Sequence, residues 1–188
     1  MNNKLKIISG KYKSRIIHIP NKKNLKPTKA FIRESLFNII NFNLCRVSLD
    51  LFSGSGILSI EALSRGIQQS ILVEQDKELI ESIKSNLITL NETNALIYNK
   101  KVGRFLKEYE LKEFDIIFLD PPYDTHLLNE TLIYLKEHDY LKNNKYFYFE
   151  KSKLDKNDYL KYFLDTHRIV KDLSIGDVRY TIAINKDL

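Results

Sequence analysis

From residue 47 to residue 150 the chain alternates short apolar runs with amphipathic stretches, and few folds accept that pattern. Residues 47–51, 70–74, 95–98, 115–119 and 146–150 have the length and the aliphatic or aromatic content of buried strands. Between them, residues 57–64, 76–90, 104–109 and 127–137 read as helices, with Asp76 placed to cap the second. Strands alternating with helices predict an α/β protein built on a doubly wound, mostly parallel sheet. A short helix over 157–163 follows. Strands at 167–171 and 178–185 then close the chain through Gly176-Asp177. Their connection is too short for a parallel crossover, which predicts an antiparallel pair.

At 188 residues, with 43% hydrophobic and 29% charged residues, the chain suits one globular domain with a small appendage. No apolar run approaches the ~20 residues that span a bilayer. The first residues, Met1 to Lys6, lack the apolar stretch of a signal peptide, which predicts a cytoplasmic protein. Cys45 is the single cysteine, excluding an internal disulfide or a multi-cysteine metal site. His18, His126, His138 and His167 show no ligand spacing, so no metal is expected.

The net charge of +6 is concentrated at one end. Residues 1–33 hold ten lysines or arginines and no acid, leaving the rest of the chain at −4. Residues 5–8 and 15–19 look like two short strands flanking a turn, so residues 1–27 are expected to form a basic β-hairpin arm and residues 28–188 the main domain. Thr28 can cap a helix reaching about Asn43. Its stripe of Ile32, Leu36, Ile39 and Ile40 faces inward, and Lys29, Arg33 and Phe37 recur on another face. A basic arm on an acidic body is the electrostatic footprint of a phosphate-backbone ligand. Lys11, Lys13, Arg15, Lys29 and Arg33 are its candidate contacts.

Asp120-Pro121-Pro122-Tyr123 ends the apolar strand 115–119, where ligands bind in open α/β sheets. Proline fixes φ and removes backbone donors, so the turn offers oxygens without competing N–H groups. Asp120 and the Pro121 carbonyl can accept both hydrogens of one amino group, and Tyr123 can stack on a flat ring beside it. The same tetrapeptide also serves as an ordinary turn, so its companion upstream matters. Asp50-Leu51-Phe52-Ser53-Gly54-Ser55-Gly56 follows the first sheet strand, and Glu74 ends the next one, 18 residues after Gly56. An acid at about that distance, ~20 residues, binds ribose hydroxyls in nucleotide-binding α/β folds. The third glycine of the dinucleotide fingerprint is replaced by Ser59, and the loop lacks a Walker lysine. It suits a nucleoside better than a pyrophosphate.

Asp50 to Gly56 resembles motif I of S-adenosylmethionine-dependent methyltransferases. Asp120 to Tyr123 resembles their motif IV, found in enzymes that methylate exocyclic amines of bases. Three further stretches, residues 8–15, residues 26–28 with 33–38, and residues 52–56 with 61–66, are similar to the bacterial RsmD family of small-subunit ribosomal RNA guanine-N2 methyltransferases. The similarity runs on to Gly176-Asp177-Val178-Arg179-Tyr180. It implies a Rossmann-like class I methyltransferase fold with a seven-stranded, mostly parallel sheet, an antiparallel C-terminal pair and a small N-terminal extension. It implies methyl transfer from S-adenosylmethionine to N2 of a guanine in 16S ribosomal RNA, G966 by resemblance, within a small-subunit particle. For a chain of this size a monomer is the default expectation. An adenine-N6 DNA or RNA methyltransferase is the alternative. Residue by residue, Gly54 and Gly56 would line the methionine part of the cofactor, with Phe52 in the same loop. Glu74 would hold the ribose, Gln75 would sit beside the adenine, and Asp50 would anchor the loop facing the amino group. Asp120, Pro121 and Tyr123 would be catalytic. The chain departs from the family at Lys101, where an acid or amide near the adenine is usual.

Overall fold

The computed structural model describes residues 3–22, 25–109, 114–123 and 125–188; Lys23 of the basic segment lies outside the described residues. Strands β1 (Asn3–Lys6) and β2 (Ile16–Ile19) pair antiparallel as a hairpin. Helix α1 (Ala30–Ile39) leads to β3 (Val47–Asp50), α2 (Ile57–Ser64), β4 (Gln69–Glu74), α3 (Lys77–Leu90) and β5 (Ala95–Asn99). Then come α4 (Val102–Glu108), β6 (Ile116–Leu119), α5 (Leu127–Glu137), β7 (Tyr146–Ser152), β8 (His167–Ile175) and β9 (Val178–Asn185). Seven strands form one sheet in the order β5-β4-β3-β6-β7-β9-β8. The pairs from β5 to β7 are parallel, whereas β9 runs antiparallel to both β7 and β8. The chain builds outward from β3 to β5, then returns to place β6 on the other side of β3.

Strand periodicity assigns each side chain to a face. In β6, Ile116 and Phe118 join a core with α1 and α2, whereas Ile117 and Leu119 join one with α4 and α5. In β7, Tyr146 and Tyr148 take the first face, Phe147 and Phe149 the second. Both faces of the central strands are buried, which is why these runs read as continuously apolar. The hairpin is a further layer of the same body. Ile7, Ile17 and Ile19 are buried against Ile57, Ile60, Ile83 and Leu87, so the hairpin shares a core with α2 and α3.

The helices differ from the sequence expectation at their ends. Asp76 caps α3 as expected, accepting from the Glu78 and Leu79 amides at 2.9 and 3.3 Å. Thr28 does not cap α1; Lys29 occupies the cap position without a side-chain bond, and the Thr28 hydroxyl is used elsewhere. Helix α1 stops at Ile39 because Ile40 is extended, and a separate 3-10 turn covers Phe42–Leu44. The expected helix at 157–163 is only a 3-10 turn, Leu160–Tyr162. Among the described residues no helix is long and apolar enough to cross a membrane, and no group of three or more His, Cys, Asp or Glu residues is placed to hold a metal.

Candidate active site

β3 and β6 are neighbours with chain running away from them in opposite directions. The crevice beyond their carboxyl ends is therefore the topological switch point of the sheet, the place where open α/β folds bind ligands. Residues 51–56 leave β3 there and residues 120–123 leave β6. Asp50 pairs in register with Phe118, so the two loops begin within two residues of each other across the sheet.

Asp120, a half-buried residue, stands at the end of β6. Thr28 donates its hydroxyl to Asp120 Oδ2 at 3.2 Å, across 92 residues of sequence. Burial raises the Asp120 carboxyl well above the usual range, and the charges of Glu150 and, to a smaller extent, Asp50 raise it further. Pro121 is buried and Pro122 exposed. Tyr123 is half-buried and donates to Glu150 Oε2 at 2.7 Å, an arrangement the sequence reading did not anticipate. Burial, with Asp120 and Glu150 close by, raises its phenol too, so it stays protonated. Glu150 was missed because it ends an otherwise apolar run in β7. The available signal was its position, a lone acid at the carboxyl end of a strand bound for the sheet centre.

The loop after β3 turns on two glycines. Gly54 has φ +51° and Gly56 φ +75°, both left-handed. A Cβ on Gly56 would sit 3.0 Å from Ile83 Cγ1, so the close approach of α3 also requires glycine. Glu74 Oε2 accepts from the Gly54 amide at 2.8 Å and Oε1 from the Asp76 amide at 2.9 Å, which locks the loop to the end of β4. Asp50 is 1% exposed. Ser59 donates to its Oδ2 at 3.0 Å, and its buried Oδ1 has no partner among the described residues. Burial pushes this carboxyl up to about 7, partly offset by the Ser59 hydroxyl. Phe52 is half-buried against the α4 side, and Gln75 is exposed. Asn99, at the end of β5, donates from Nδ2 to the carbonyls of Glu74 and Gln75, each at 3.0 Å. An amide thus stands at the end of β5, two residues before Lys101. Lys101 itself occupies the cap position of α4.

These residues fit a cationic nucleoside cofactor. An orphaned, buried carboxylate oxygen at Asp50 can receive an ammonium donor. Gly54 leaves space where a Cβ would meet only Leu25 Cδ1, at 3.4 Å, and the Phe52 carbonyl, at 3.9 Å. Three carboxyls, Asp50, Asp120 and Glu150, converge on one edge, which favours positive charge there.

The expected RNA contacts separate into three places. Lys11, Lys13 and Arg15 are exposed on the hairpin turn, which meets the far ends of α2 and α3: Lys11 N donates to the Ser64 carbonyl, Lys11 Nζ pairs with Glu92 at 2.8 Å, and Arg15 reaches the Thr89 carbonyl. That end of α3 is about 20 Å from the crevice, the length of the helix. Lys29 is exposed at the crevice itself, beside Gly176 of the β8–β9 turn. Arg33 is a correction. It is 2% exposed, its Nη1 lies 2.7 Å from Glu61 Oε1, and it donates to the carbonyls of Thr28 and Lys6. Its charge is committed to a buried partner and cannot grip phosphate.

Known proteins resemble this chain over most of its length. The family model described as "Conserved hypothetical protein 95" matches residues 5–184. "Ribosomal RNA small subunit methyltransferase D" of Buchnera aphidicola subsp. Baizongia pistaciae is 46% identical over 148 residues, covering 78% of this chain and 75% of that protein. The Escherichia coli K12 protein of the same name is 35% identical over 150 residues, covering 78% and 74%. The solved structure of yhhF from Escherichia coli superposes with a TM-score of 0.78 at 27% identity, over 97% of this chain and 98% of that one. The chain belongs to the RsmD family of ribosomal RNA small-subunit methyltransferases.

Proposed function

We propose that this RsmD-family chain methylates the exocyclic N2 of a guanine in 16S ribosomal RNA. What carries the reading is the placement of Asp120, Pro121 and Tyr123 beside the Asp50–Gly56 loop at one switch point. S-adenosylmethionine, when bound, supplies a methyl group already activated by its sulfonium charge. Gly54, Gly56 and Phe52 would line the cofactor, and Asp50 would receive its amino group. Glu74 would hold the ribose hydroxyls, with Gln75 and Asn99 on the adenine side.

A guanine N2 lone pair is delocalised into the ring and is a poor nucleophile, so placement has to supply most of the acceleration. Asp120 and the Pro121 carbonyl accept the two amine hydrogens and favour pyramidal nitrogen. Those bonds strengthen as positive charge develops on nitrogen, and so they stabilise the transition state more than the ground state. Tyr123 stacks on the extruded base for about 1–3 kcal/mol, offsetting the few kcal/mol lost on unstacking. Lys29 holds the backbone at the crevice, and Lys11, Lys13 and Arg15 hold it about 20 Å away along α3. The protein acts as a cytoplasmic monomer without a metal, on rRNA within a small-subunit particle.

The test is transfer of labelled methyl groups to small subunits lacking the modification, with nucleoside analysis. N2-methylguanosine is expected. N6-methyladenosine would keep the Asp120 chemistry and overturn the guanine assignment.

A further inference from the structure

Glu150 is a neighbour of Asp120 but not part of its motif. In the parallel β6–β7 pair Leu119 is opposite Phe149, so the next residues, Asp120 and Glu150, reach the same edge side by side. Glu150 is 2% exposed. Its carboxyl contacts are hydroxyls rather than a cation: Tyr123 donates to Oε2 and Tyr148 to Oε1. Burying a carboxyl beside a second carboxyl is costly. A glutamine of the same shape keeps its carbonyl oxygen for the Tyr123 hydroxyl and turns an N–H toward the Tyr148 oxygen. The Tyr123 contact therefore does not require the charge.

We propose that Glu150 is a positioning residue for methyl transfer, fixing the Tyr123 ring through its hydroxyl and holding a second carboxyl beside the amine-accepting Asp120. This rests on the methyltransferase reading above. Among the described residues, groups facing the pair come from each adjoining element. Asp50 approaches from β3, Thr28 and Lys29 from the segment before α1, Tyr123 from the loop, Tyr148 from β7, and Tyr180 from its register position opposite Glu150 in β9. Lys29 is the cation among them, and Asp50 and Glu150 both oppose ionisation of Asp120. Removing the Glu150 charge lets Asp120 ionise at lower pH. The tyrosine contact has a separate consequence: without its acceptor the Tyr123 ring loses its fixed orientation against the base.

The experiment measures kcat/KM and KM for methyl transfer to rRNA against pH for wild type, E150Q, E150D, Y123F and the Y123F/E150D double variant. Binding of S-adenosylhomocysteine by calorimetry reports that each site is intact. E150Q is expected to bind as wild type does and to shift the acid limb down by about one pH unit. E150D keeps the charge but shortens the reach, so its limb stays near that of wild type while KM for RNA rises. In the Y123F background the E150D effect on KM is expected to vanish, since the two side chains act as one unit. An unmoved acid limb in a cofactor-competent E150Q overturns the proposal, as do additive KM effects. Should E150Q fail to bind, E150D decides: a displaced limb despite the retained charge overturns it. A wild-type protein that methylates no rRNA sinks the methyltransferase reading itself, which the wild-type arm reports separately.

Discussion

Replacing Arg33 with alanine separates two views of one residue. As a phosphate ligand its loss would weaken RNA binding and leave folding alone. In the structure its partner Glu61 is wholly buried, 2.7 Å from the guanidinium. Removing one member of a buried ion pair costs about 3–5 kcal/mol, because the other charge is stranded. Two features draw the cost toward the lower end: the Ile8 amide still donates to Glu61 Oε1 at 2.7 Å, and Arg65 Nε stays 3.5 Å from Oε2. Against them, the carbonyls of Thr28 and Lys6 lose a charged donor, each worth about 1 kcal/mol or more. R33A is therefore expected to lose about 3–4 kcal/mol, a large part of the roughly 5–15 kcal/mol that holds a domain together. Urea unfolding would show it as a lower midpoint at unchanged m-value. Neutralising both partners in R33M/E61Q is expected to recover about half of the loss or more, since no charge is left unpaired. An R33A midpoint equal to wild type, with the salt slope of RNA binding reduced by about one phosphate contact, would refute the reasoning.

D120A is expected to lower turnover by about a thousandfold or more while S-adenosylhomocysteine still binds within a fewfold of wild type; calorimetry and single-turnover transfer check both halves. G56A combines a left-handed φ, about 1–2 kcal/mol, with a clash against Ile83, about 1–3 kcal/mol, and should lower thermal stability accordingly. Asp50 has a raised folded-state pKa of about 7, so the folded protein holds a proton that the unfolded chain has lost, and stability falls as pH rises from about 4 to 7. His167, lowered to about 4 by burial, acts oppositely, adding stability as pH rises from about 4 to 6.5. D50N removes only the first slope, so its stability relative to wild type should climb with pH by at most about 1.4 kcal/mol per unit, measured by urea melts at each pH. The triple variant K13A/R15A/K29A should lower the salt slope of RNA binding by about two to three and leave cofactor binding unchanged; an unchanged slope would remove these residues from the RNA interface.

Local physics in the sequence was enough to set most of the scaffold. The apolar runs of β6 and β7, the Asp76 cap, the glycine turn after Asp50 and the proline turn after Leu119 all depend on residues within a few positions of each other. Strand ends in an α/β alternation share one edge of the sheet, so the placement of Asp50, Glu74 and Asp120 at the switch point was legible as well. Contacts made at long range were not. Periodicity in α1 gave Lys29, Arg33 and Phe37 a common face but could not say what would cover it; the fold brings Glu61 from α2 and Phe118 from β6, burying Arg33 and Phe37 and leaving Lys29 at the crevice. Thr28 had the composition of a helix cap, yet tertiary packing placed Asp120 within reach of its hydroxyl. Glu150 looked like the polar end of a strand until β7 took its place beside β6, with β9 on its other flank. A burial pattern repeats along the chain and can be read from one sequence. The partner of a buried charge is chosen by topology, and only the assembled sheet and its layers reveal it.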